Sequence, residues 1–144
     1  MLGIIVTGHG NFASGLQSSL KLIAGEKEYM YFVDFEENDS VEDLQDKLNN
    51  AIIDLDDCSG ILVLSDLTGG SPFKTSVELS VTSSKDITVV GGTNLPMIIE
   101  LSMAKDFVED LEALTDMAIN TGKENIVRYT YVTHSEENTD EDGI

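Results

Sequence analysis

Leu2 to Gly15 reads LGIIVTGHGNFASG, and this stretch sets the pattern of the whole chain. Leu2 to Thr7 is a short apolar run rich in β-branched residues. It lacks the alternation of a half-wet edge strand and so reads as a strand buried on both faces. The run stops at Gly8, and one of only two histidines, His9, follows between two glycines. Phe12, Leu16, Leu20 and Ile23 then recur at helical spacing as far as Gly25, a residue suited to a helix C-cap.

The same unit repeats three times. Tyr29 to Phe35 gives a second strand, and Ser40 with Asp43 forms a capping-box pattern before Val41, Leu44, Leu48, Ile52 and Leu55 on one helical face. Gly60 to Asp66, GILVLSD, is the third strand, followed by LTGG and a helix starting near Ser71–Pro72, where the first turn tolerates proline. Ile87 to Val90 is the fourth, leading through GGTNLP into helical segments with Leu101, Met103, Phe107, Leu111, Leu114 and Met117 as candidate buried positions. Strands alternating with helices in this way predict a doubly wound α/β domain, with a mostly parallel sheet covered on both faces. A strand order of 2-1-3-4 makes the first and third strands neighbours. Asn125 to His134, NIVRYTYVTH, reads as a fifth strand suited to an edge or to a partner's sheet. The predicted domain spans residues 1–134, and 135–144, SEENTDEDGI, reads as an acidic disordered tail.

Charge and cysteine use narrow the function. The 144 residues suit one domain, and a formal net charge of −19 repels nucleic-acid backbones and anionic membranes, so no nucleic-acid partner is expected. Solubility alone accounts for most of that charge. Cys58, the single cysteine, has no internal partner, no basic segment precedes the first apolar run, and no apolar stretch approaches the roughly 18 residues of a membrane helix. A cytoplasmic protein is expected.

In an open parallel sheet, ligands bind beyond the carboxyl ends of the strands, where chain order reverses. His9 follows the first strand and Asp66 ends the third, so the predicted order brings them together across a long gap in sequence. A carboxylate bonded to one imidazole nitrogen fixes the tautomer and leaves the other nitrogen free as a nucleophile. Beside them, Thr68 to Phe73, TGGSPF, supplies Thr68, Gly69, Gly70 and Ser71 at the start of a helix, a cradle of amides and hydroxyls for an anion. Phosphoryl transfer through histidine is the chemistry these features share. Taken singly, His9 is an ordinary turn residue, Asp66 a turn cap and GGSP loop punctuation; their convergence gives them weight. His134 reads as a surface residue. No P-loop, dinucleotide fingerprint or metal-ligand spacing occurs, so no cofactor or structural metal is expected.

Three segments, IIVTGHGNFASGL, VLSDLTGGSPF and GGTNLPMIIE, resemble in order and spacing the IIA domain of the mannose-family enzyme II of the bacterial sugar phosphotransferase system. The likeness runs to about Tyr131. It implies a cytoplasmic phosphocarrier, a phosphotransferase with kinase-like chemistry, that takes a phosphoryl group from phospho-HPr onto His9 and passes it to a IIB component. The membrane subunits IIC and IID then use it for sugar uptake. Asp66 falls on the orienting carboxylate and Thr68 to Phe73 on the loop around the phosphoryl group, while Phe12, Pro72, Phe73 and Lys74 fall on the partner-facing rim. The resemblance also implies an antiparallel fifth strand exchanged between two subunits, hence a homodimer. Thr68 stands where that pattern carries an aromatic and Lys74 where it carries asparagine. The chain shows no linker into a fused IIB domain, so IIB is expected as a separate chain.

Three other functions compete. A receiver-like module phosphorylated on Asp66 needs acids after the first strand, where Thr7, Gly8 and His9 stand. A regulatory protein that uses His9 phosphorylation as a signal, and a phosphocarrier for dihydroxyacetone phosphorylation, share the same site. The sugar is not written in this chain, because a phosphocarrier never touches it.

Overall fold

The computed structural model describes residues 1–133; His134 and the predicted acidic tail lie outside the described residues. Four strands, β1 (Leu2–His9), β2 (Met30–Phe35), β3 (Gly60–Ser65) and β4 (Asp86–Val90), pair in the order β2-β1-β3-β4, and every pairing is parallel. Five helices connect and follow them: α1 (Phe12–Ala24), α2 (Val41–Asp54), α3 (Ser71–Thr82), α4 (Leu95–Ala104) and α5 (Leu111–Glu124). This is the doubly wound α/β architecture and the strand order read from the sequence.

The alternation of β-strand side chains divides the core in two. Leu2, Ile4 and Val6 of β1 join Leu62 and Leu64 of β3 against α1, α4 and α5. Ile5 joins Ile61 and Val63 against Leu44 and Leu48 of α2 and Leu79 of α3. Because both sheet faces are covered, β1 and β3 need apolar residues at nearly every position, which is why LGIIV and ILVL run without alternation. Burying one such leucine contributes about 2 kcal/mol.

Helix ends follow the local chemistry. Ser40 Oγ accepts the Asp43 N–H and Asp43 accepts the Ser40 N–H, both at 3.0 Å, so the predicted capping box is present. Asn94 Oδ1 accepts the Met97 N–H at the start of α4. Among the described residues no helix is long and apolar enough to cross a membrane.

Several expectations change. The first strand does not stop at Thr7: Gly8 and His9 continue it, opposite Asp34 and Phe35 of β2. Phe107 is 87% exposed because α4 ends at Ala104 and α5 starts only at Leu111, and Met103 is exposed because it stands two residues from buried Leu101, on the opposite side of α4. The break leaves Phe107 outside any helical face. Val41 and Ile23, at helix ends, are exposed too, and Met117 is half-buried. Of the expected fifth strand, the described residues 125–133 form no strand within the single chain. Residues 126–133 leave α5 without pairing to β4, and Ile126, Val127, Tyr129, Tyr131 and Val132 are exposed.

Candidate functional site

Parallel strands deliver their carboxyl ends to one edge, and the β1–β3 pairing sets Thr7 opposite Ser65. His9 closes β1 and Asp66 is the first residue past β3, so the register alone makes them neighbours across 57 positions. Asp66 Oδ2 accepts the backbone N–H of His9 at 2.9 Å and lies 2.9 Å from His9 Nδ1. Asp66 Oδ1 accepts the Leu67 N–H at 2.7 Å. Burial raises the Asp66 pKa, but the His9 amide, the His9 ring and the Leu67 amide together outweigh it and hold the carboxyl below its ordinary range. An ionised Asp66 accepts only, so Nδ1 carries the hydrogen, and in the neutral ring Nε2 is the nitrogen with the lone pair. The His9 side chain is 46% exposed and that of Asp66 15%, which leaves the outer nitrogen accessible above a sheltered partner.

Three glycines shape the surroundings. Gly8 is buried rather than exposed: a Cβ there would press on the Phe12 ring and stand 2.9 Å from Asp66 Cγ. Gly10, with φ of 60°, makes the turn from β1 into α1. Gly70 lies close against the imidazole, since a Cβ there would fall 2.8 Å from His9 Cε1 and 3.5 Å from Nε2.

Gly70 is also the N-cap of α3. The first-turn amides of Ser71 and Phe73 have no intrahelical acceptor, Pro72 contributes no N–H, and the positive end of the helix dipole therefore faces the space beside Nε2. Thr68 leans on the β4–α4 turn, where a Cβ on Gly91 would collide with its hydroxyl. The structure thus brings His9, Asp66, Gly70 and Ser71 into one place, with Thr68 and Gly69 on the exposed part of the loop.

The four side chains assigned to the partner-facing rim separate. Lys74 is exposed and makes no ion pair among the described residues, while Phe12 and Phe73 are half-buried. Pro72 is buried, because the first turn of α3 rotates it onto the core side with Thr75 and Ser76, so it offers no surface to a partner. Two neighbours escaped the sequence reading. Leu67, beside Asp66, is 60% exposed and was legible as an apolar residue in a polar loop. Phe35 packs near the imidazole, which no local sequence signal conveys. Among the described residues no group of His, Cys, Asp or Glu is arranged to hold a metal ion.

Comparison with known proteins identifies relatives of the whole fold. A family profile described as "EIIA-man: PTS system fructose IIA component" matches residues 3–119. The chain is 32% identical over 125 residues to the "PTS system mannose-specific EIIAB component" of Escherichia coli K12, covering 87% of this chain and 38% of that protein. It therefore spans well under half of that longer relative. It is 27% identical over 132 residues to the "PTS system fructose-specific EIIA component" of Bacillus subtilis, covering 88% and 90% of the two chains. The solved structure of "phosphotransferase system component EIIA" from Streptococcus agalactiae superposes with a TM-score of 0.83 at 40% identity, covering 89% of this chain and 97% of that one.

Proposed function

The chain belongs to the mannose-type IIA component family of the bacterial sugar phosphotransferase system, and we propose that it is a cytoplasmic histidine phosphocarrier that takes a phosphoryl group from phospho-HPr onto His9 and hands it to a IIB component. The observation that carries this reading is the 2.9 Å contact between Asp66 and Nδ1, which leaves Nε2 open beside the N-terminus of α3.

The chemistry balances without a proton leaving the site. Neutral His9 attacks phosphorus in line through Nε2, the N–P bond to the donor histidine breaks, and the donor nitrogen keeps the electron pair. Nδ1 retains its hydrogen, so the phosphorylated ring becomes formally cationic, and the Asp66 carboxylate faces that new charge. The amides of Ser71 and Phe73, the Ser71 hydroxyl and the α3 dipole are placed to receive the phosphoryl oxygens. In the second transfer the acceptor on IIB attacks the same phosphorus from the exposed side, which requires HPr and IIB to use one site in turn. Leu67, Thr68, Phe73 and Lys74 form the rim that both would meet.

The exposed apolar side chains of residues 126–133, together with the unpaired outer edge of β4, support a homodimer in which this segment adds a strand to a second copy. Incubation with phosphoenolpyruvate, enzyme I and HPr tests the central reading. An acid-labile, base-stable phosphate is expected on the wild-type chain and none on His9→Ala, and undiminished labelling of that variant would refute it. Onward transfer to a purified IIB distinguishes a transport component from a regulatory phosphoprotein.

A further inference from the structure

A hydrogen bond through Nδ1 fixes one atom of the His9 ring, but the torsion about Cβ–Cγ is broad for an imidazole. Holding Nε2 in one direction therefore needs more than one surface against the ring. Gly70 supplies one, close to Cε1. A second comes from β2. Phe35, the Cα partner of His9 in the sheet, places its ring centroid 5.9 Å from that of the imidazole at an interplanar angle of 59°, within the tilted geometry that aromatic pairs prefer.

The end of β2 grips the histidine turn by its backbone as well. The Phe35 carbonyl accepts the Gly10 N–H at 2.8 Å, immediately after His9. One residue earlier, the Asp34 carboxylate accepts the Ser14 N–H at 2.9 Å, capping α1 from a neighbouring strand where the Asn11 side chain makes no capping bond. Lys47 of α2 secures this bracket from behind, donating to the Asp34 carbonyl at 3.2 Å and to Asp39 at 2.7 Å. Asp39 in turn accepts the Glu36 N–H at 2.8 Å.

We propose that Phe35 is a positioning residue for His9, backing the imidazole so that Nδ1 stays on Asp66 and Nε2 faces the incoming phosphoryl group. The inference rests on the reading of His9 as phosphoryl acceptor, yet its first test needs no phosphoryl donor. Ring-nitrogen NMR of the unphosphorylated full chain reports the tautomer directly. The wild type should show one tautomer with hydrogen on Nδ1. Phe35→Leu, which keeps apolar bulk, should show averaged Nδ1 and Nε2 signals and accept phosphate about fivefold to tenfold more slowly, the scale of one aromatic pair. Phe35→Tyr should restore both readouts. Wild-type ring signals in Phe35→Leu overturn the proposal. A slower rate with unchanged ring signals does so too, because it marks Phe35 as a docking contact only. Should Phe35→Leu fail to fold, Phe35→Met is read by the same two signals. If the wild type itself accepts no phosphate, the phosphocarrier reading falls while the ring signals still judge Phe35.

Discussion

Asp66 meets His9 twice with one oxygen, at the backbone N–H and at ring Nδ1, each at 2.9 Å. The carboxylate thus ties the position of the histidine backbone to the orientation of its ring. Asp66→Asn keeps the shape but removes the charge and lets an amide N–H₂ turn toward the ring, favouring the wrong tautomer. The variant should fold, and single-turnover phosphoryl acceptance should fall by about 10²-fold or more, the scale of removing an oriented electrostatic partner at a reacting centre.

The same contact predicts an acid signature. The Asp66 carboxyl is held below its ordinary value of 3.8 in the folded chain. Its contribution to stability is therefore complete above that value and is lost as pH falls through the lower, folded-state value. Urea midpoints of wild type and Asp66→Asn, compared from neutral pH downward, should converge in that acidic window. A constant difference across the whole range would contradict the linkage.

Gly70→Ala probes the glycine surface against the ring. An added Cβ at 2.8 Å from Cε1 must displace the imidazole, because the glycine backbone is fixed as the N-cap of α3. Thermal unfolding should show a modest loss of about 1 kcal/mol or less, as for alanine at an N-cap. Phosphoryl acceptance should drop far more than stability does.

Two apolar positions with opposite burial test the fold itself. Leu48 is fully enclosed between α2 and the sheet, and Leu48→Ala should cost about 2–5 kcal/mol in denaturant unfolding. Phe107→Ser, at a side chain 87% exposed, should stay within about 0.5 kcal/mol of wild type.

A chain ending at Asn125 tests the proposed exchange. Light scattering should find a dimer for the full chain and a monomer that keeps its helical circular dichroism for the shortened one. A monomeric full chain would remove the second copy from the picture.

Most of the architecture was legible because it rests on short-range patterns. Uninterrupted apolar runs such as ILVL, capping residues such as Ser40 and glycine turns mark strands and helices one at a time. The pairing of His9 with Asp66 was also legible, since it needs only the strand order. What escaped depends on phase and register. Phe107 was misplaced because a six-residue break between α4 and α5 resets helical phase without a proline or glycine to announce it. Phe35 was missed because its role comes from standing opposite His9 across β1 and β2, and no residue near it in sequence records that. Pro72 was right as a helix start and wrong as surface, for an N-terminal proline says nothing of which way its turn faces.

His9 closes a strand whose preceding residues, Leu2 to Gly8, are all buried, so the proposed nucleophile is mounted on close-packed backbone. A relay of the proposed kind, serving two dissimilar proteins in succession, would then work like a fixed socket. Neither visitor has to remould it, and the burden of adjustment falls on whichever plug arrives.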